Sequence, residues 1–168
     1  ITLNVGFVVI EVVFGLLSNS LALLADAGHN LSDVLSLFFA WGASVLARRI
    51  PTQRHTYGLR RTSILAALIN ALVLLVAVGA IVWEAMLRFG HPEPVVSDTV
   101  IWVASAGIVI NGFTAWLFMS GQKQDLNIRA AYLHMMADAA VSLGVVLAAV
   151  AMKFTDWLWL DPVVSLIV

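Results

Sequence analysis

Leu23-Leu24-Ala25-Asp26-Ala27-Gly28-His29-Asn30-Leu31-Ser32-Asp33 places two metal-competent side chains, His29 and Asp33, inside an otherwise apolar run. Four residues apart on a helix, they share one face, one turn from each other. The same spacing returns in Ala131-Tyr132-Leu133-His134-Met135-Met136-Ala137-Asp138, where His134 and Asp138 stand in an equally apolar setting. An ionisable group in the middle of a bilayer costs on the order of 2.5–3.5 kcal/mol on insertion scales. Two such pairs therefore argue for a shared purpose, and imidazole with carboxylate suits a transported divalent cation.

Composition places the rest of the chain in the same setting. Of the 168 residues, 61% are hydrophobic and 11% charged, with a mean hydropathy of +0.97. A soluble domain carries about a quarter charged residues. With no cysteine, neither a disulfide framework nor a thiolate metal site is possible, so a metal must be held by His, carboxylate, carbonyl or water. A net charge of -1 and basic residues gathered in connecting loops disfavour nucleic acid as a partner. Ile1-Thr2-Leu3-Asn4 lacks the basic start of a signal peptide. The chain stops within an apolar run, which reads as a transmembrane fragment with further sequence on both sides.

Apolar runs and their breakers predict an all-α membrane protein, a six-helix bundle with helices at 1–17, 21–47, 62–87, 95–119, 126–152 and 157–168. The last is incomplete, because 12 residues cannot cross about 30 Å of hydrocarbon. Ser18-Asn19-Ser20, Arg48-Arg49-Ile50-Pro51, the proline-flanked Pro92-Glu93-Pro94 and Lys153-Phe154-Thr155-Asp156 mark turns. Loops after helices 2 and 4 hold Arg48, Arg49, Arg54, Arg60, Arg61, Lys123 and Arg129, whereas those after helices 3 and 5 hold only Arg88 and Lys153. That asymmetry puts the arginine-rich loops, and with them both termini, in the cytoplasm.

Helix 2 then runs inward and helix 5 outward. Antiparallel packing at matching depth would set His29 beside Asp138 and Asp33 beside His134. Two nitrogens and two oxygens suit four-coordinate Zn²⁺ at about 2.0–2.2 Å, whereas Mg²⁺ and Ca²⁺ want six or more oxygens. A lone intramembrane histidine is as readily a packed hydrogen-bonding residue, but the repeated spacing and matched depth favour a shared site.

Other polar residues carry open alternatives. Asp26, near the start of helix 2, fits either favourable charge at a helix N-terminus or an outer ion entrance. Glu11, deep in helix 1, fits a proton path or a hydrogen bond to a neighbouring helix. Glu84 reads as an interfacial anchor, and Asn4, Asn70 and Asn111 as interhelical hydrogen-bonders. Trp83, Trp157 and Trp159 fall at outer helix ends and read as an aromatic belt. His55, in the arginine-rich loop, is an ordinary loop residue or a weak peripheral metal site.

These motifs resemble the cation diffusion facilitator family, and within it the bacterial zinc exporters. The resemblance rests on Ser20 through Asp33, on Tyr57-Gly58 with Arg61, Leu65-Ala66-Ala67 and Asn70, on Asn127 through Asp138, and on Asp161-Pro162. It implies six transmembrane helices, a homodimer in the bacterial inner membrane and a cytoplasmic C-terminal domain of ferredoxin-like type, absent from this chain. It also implies export of Zn²⁺ from the cytoplasm in exchange for protons, with His29, Asp33, His134 and Asp138 as the transport site. No organic cofactor and no enzymatic reaction are implied. Members with a metal site in the loop between helices 2 and 3 carry several acids and histidines there, whereas this loop keeps only His55 and has Leu59 at another ligand's place. Ser63 stands where many members have Glu, and His29 in place of Asp tilts selectivity towards zinc by analogy. The rival readings are a membrane redox protein with His29 and His134 as axial haem ligands, a proton or cation channel lined by the carboxylates, and a structural membrane subunit.

Overall fold

The computed structural model describes residues 2–47 and 60–168. Those residues form six helices, α1 (Thr2–Ser18), α2 (Leu21–Ala47), α3 (Arg60–Gly90), α4 (Ser97–Phe118), α5 (Leu126–Thr155) and α6 (Leu160–Ile167), and contain no strand. Among the described residues, three stretches are long and apolar enough to cross a membrane, Ala67–Gly90, Ser97–Phe118 and Leu126–Thr155. The bundle turns its apolar side chains outward: Leu75, Val76 and Trp83 on α3 are 67%, 73% and 66% exposed. Such an apolar exterior is stable only against lipid.

Local chemistry sets the boundaries. Asn19 takes a left-handed conformation at φ 55 between α1 and α2, a geometry asparagine tolerates better than most residues. Gly15 keeps that hairpin tight, since a Cβ there would stand 2.8 Å from Leu24 Cδ2. Asp125 caps α5 by accepting from the Asn127 and Ile128 N–H groups at 2.7 and 3.3 Å. The other end of α5 closes at Asp156, which is left-handed at φ 56. The sequence predicts helix 6 from residue 157, but α6 begins at Leu160. Residues 157–159 form a turn in which Leu158 N–H donates to Asp156 O and Leu160 N–H to Trp157 O. Pro162 then falls in the first turn of α6, where its missing N–H costs nothing.

The most extensive pairing is α4 along α5; α1 lies against α2 and α4, and α2 is flanked by α3 and α6. Ala22, Leu23, Val100, Val103, Ala104, Val145, Ala149 and Met152 form the core where α2, α4 and α5 meet. Gly107 lets α1 and α5 approach α4 closely, because a Cβ there would stand 3.1 Å from both Phe7 Cζ and Ser142 Oγ. Beside this core α2 and α5 touch only sparsely. The gap between them holds the polar residues.

A polar knot ties the end of the bundle nearest that core. Asp161, fully buried, accepts from Ser20 Oγ at 2.6 Å, Leu21 N–H at 2.7 Å and Ala22 N–H at 3.3 Å. It thereby satisfies the free N–H groups at the start of α2 from a different helix. Arg88 Nη1 lies 3.8 Å from the same carboxylate and donates to Asn19 O at 2.7 Å, while Nη2 donates to Asn19 Oδ1 at 2.7 Å. Glu84 accepts from Arg88 Nε at 3.2 Å, so its role is pairing with Arg88.

Candidate metal centre

His29 and Asp33 project from α2, and His134 and Asp138 from α5. The shorter contacts run between the helices: His134 Nε2 to Asp33 Oδ2 at 3.1 Å and His29 Nε2 to Asp138 Oδ1 at 3.4 Å. Within each helix the imidazole nitrogen and carboxylate oxygen are 3.8 Å apart. A tetrahedral ion with bonds of about 2.0–2.1 Å has ligand–ligand edges of about 3.3–3.4 Å. All four nitrogen–oxygen separations bracket that edge. One ligand atom each from His29, Asp33 and Asp138 falls within 4.8 Å of the others. His134 stands across the same carboxylates, its ring centroid 6.1 Å from that of His29.

The donors are prepared for a cation more than for each other. Asp33 Oδ2 is enclosed and accepts no well-directed hydrogen bond, although it faces both imidazole nitrogens. Asp138 is 3% exposed and presents a different oxygen to each imidazole. A buried carboxylate oxygen without a donor costs roughly 1–3 kcal/mol or more. A bound cation would remove that deficit.

A cavity of about 210 Å³ lined by Asn4, Asn30, Asp33, Ser36, Asn111, His134, Met135 and Asp138 leads from the cluster towards the end that carries the α2–α3 loop. Leu23, Val100 and Val145 are completely buried in the core on the other side of the cluster. His29 borders a second cavity of about 310 Å³ between α2, α3 and α6.

The remaining sequence-nominated residues are placed as follows. Asp26 is only 1% exposed and accepts from Ser142 Oγ at 3.0 Å. The N–H groups at the start of α2 are satisfied by Asp161 and Ser20. Glu11 is fully buried and accepts from Asn30 Nδ2 at 2.9 and 3.2 Å. His55 lies outside the described residues. Asn70 Nδ2 donates to Ser36 Oγ at 3.5 Å, whereas Asn111 Nδ2 is buried without a partner at the cavity wall. Asn30 and Ser142 drew no attention in the sequence. The available signal was helical spacing: Asn30 follows Asp26 by four residues and Ser142 follows Asp138 by four.

Comparison with known proteins matches this arrangement to a family. Residues 1–168 fit the sequence profile described as the cation efflux transmembrane domain. The chain is 46% identical to the zinc transporter ZitB of Escherichia coli over 164 residues, which are 97% of this chain and 52% of that protein. It is 44% identical to the cadmium, cobalt and zinc/H⁺-K⁺ antiporter of Bacillus subtilis, across 97% of this chain and 53% of the other. With the metal cation efflux system protein CzcD of Cupriavidus metallidurans it shares 37% identity, across 96% of this chain and 51% of that one. The chain thus spans about half the length of the curated relatives it matches. A profile fitted from first residue to last, on an all-helical bundle with a lipid-facing exterior, makes this chain a transmembrane domain of the cation diffusion facilitator family.

Proposed function

We propose that this domain carries Zn²⁺ out of the cytoplasm in exchange for protons, holding the ion between His29, Asp33, His134 and Asp138. The observation that carries the reading is the set of four nitrogen–oxygen separations, 3.1 to 3.8 Å, contributed by two helices in gapped contact. Relatives bearing the names zinc transporter and cadmium, cobalt and zinc antiporter agree with it. A haem between the imidazoles would have to displace both carboxylates. A channel would need a continuous path past the buried core residues Leu23, Val100 and Val145.

The chemistry favours exchange. To bind the ion each imidazole must be neutral and each carboxylate ionised, so loading expels the protons these groups carry, and returning protons weaken the hold. In this reading the cavity lined by Asp33, His134 and Asp138 is the route from the cytoplasm. Movement of α2 and α5 against the other helices would close it and open the opposite side. Homodimerisation and a cytoplasmic C-terminal domain belong to the same proposal, in keeping with relatives about twice as long.

The test is a zinc titration of the purified full-length protein beside its His29→Ala variant, followed by zinc flux in proteoliposomes under an imposed pH gradient. Saturable, gradient-driven flux in the wild type and weakened binding in the variant support the reading. Wild-type binding and flux in the variant would defeat it.

A further inference from the structure

One turn along α2 and α5 from the four ligands, on the packed side, lies a second group of acids that the metal centre leaves unused. Glu11 and Asp26 are 0% and 1% exposed, and their carboxyls lie within hydrogen-bonding reach of each other. Asn30 supplies donors to Glu11, and Ser142 one to Asp26. Asp26 Oδ1 is enclosed and receives no donor.

Every neighbouring charge is accounted for. Among the described residues, no lysine or arginine pairs with Glu11 or Asp26. The titratable groups facing Asp26 are Glu11 from α1, His29 on the next turn of α2 and Asp138 from α5. Asp98 of α4 is held by Lys153, Glu84 of α3 by Arg88, and Asp161 of α6 by Ser20 and Arg88. Two acceptor-only carboxylates in contact lack a hydrogen between them. One proton supplies it.

The geometry points to a proton-binding site made by Glu11 and Asp26, distinct from the cation ligands, in which one shared proton serves as a counter-ion of transport beside those displaced from the ligands. The inference rests on the exporter reading and adds one proton to those that the four ligands release. The step balances simply: the bridging O–H bond breaks, the proton passes to water, and two carboxylates remain while Zn²⁺ occupies its own ligands. A divalent charge about one turn away favours the ionised pair. Mechanical coupling is built in as well, because the Asp26–Ser142 bond and the His29–Asp138 contact join the same two helices.

The experiment uses full-length protein in weak buffer, titrated with Zn²⁺ while protons released and zinc bound are both counted. Glu11→Gln and Asp26→Asn are each expected to release about one proton fewer per bound zinc than the wild type, and to lose zinc flux driven by a pH gradient. Release counts equal to the wild type in both variants would overturn the proton site. Ser142→Ala retains both acids and guards against variants that do not fold. In infrared difference spectra the wild type should lose a neutral carboxylic acid C=O band on zinc binding, and Ser142→Ala should move that band. An absent or unmoved band counts against the site. A wild type that binds no zinc would instead bring down the exporter reading, so the two failures are distinguishable.

Discussion

His134 Nε2 of α5 lies 3.1 Å from Asp33 Oδ2 of α2, closer than either imidazole lies to the carboxylate on its own helix. The ligand set is therefore a property of the helix pair. Removing Asp33 should unpair His134 as well as delete a ligand. We expect Asp33→Ala and Asp138→Ala to weaken zinc binding by on the order of 100-fold or more, beyond the 10–100-fold typical of lost supporting groups. Zinc-driven proton movement in proteoliposomes should vanish. Calorimetric titration and a pH-sensitive dye check the two parts, and wild-type behaviour in either variant would refute the assignment.

Acid should weaken binding. Protons compete for the two imidazoles and two carboxylates that hold the ion, and each displaced proton changes the apparent affinity by up to about tenfold per pH unit. The sign is fixed: the dissociation constant rises as pH falls. Zinc titrations over a series of pH values measure the slope. A flat profile would mean that no proton is displaced.

Magnesium and calcium should not compete. Two imidazoles and two carboxylates supply too few oxygens for ions that take six or more. A large excess of Mg²⁺ should leave a zinc titration unshifted. Displacement at comparable concentrations would contradict the four-coordinate site.

Asp161 should be costly to remove. Asp161→Ala leaves the Ser20 hydroxyl and two N–H groups without their acceptor, while Arg88 keeps Glu84 and Asn19, and a buried polar group left unsatisfied costs about 1–3 kcal/mol. Asp161→Asn retains an acceptor and should cost less. Thermal unfolding of the full-length protein in detergent ranks the two, and an Asp161→Ala variant as stable as the wild type would show that the knot contributes nothing.

Gly107→Ala should destabilise although alanine is the better helix former by about 1 kcal/mol. The new Cβ would press on Phe7 and Ser142, 3.1 Å away on two different helices, and overpacking costs about 1–3 kcal/mol. Because Ser142 is also the donor to Asp26, the variant should disturb proton release as well as melting temperature. An unchanged melting temperature would show that α1 and α5 yield freely.

Much of the architecture is legible in the sequence because membrane helices announce themselves by length and apolarity. The four candidate ligands stood out for the same reason, as His-x-x-x-Asp pairs in runs that otherwise exclude charge. What escaped were relationships across the chain. Nothing near Asp26 signals its burial, which depends on α1 and α5 closing over it. Asp161 satisfies the start of α2 from about 140 residues away, a contact only tertiary packing creates. The late start of α6 likewise follows from the left-handed Asp156, which apolar periodicity does not reveal.

The carboxylate of Asp161 also limits how the bundle can move. Its bonds to Ser20, Leu21 and Ala22 lie within one turn, so sliding α2 past α6 by a single residue rise, about 1.5 Å, would strain all three together. The two helices are riveted at that end and must shift as one body. Any movement of α2 and α5 against the rest of the bundle therefore has to carry α6 along with it.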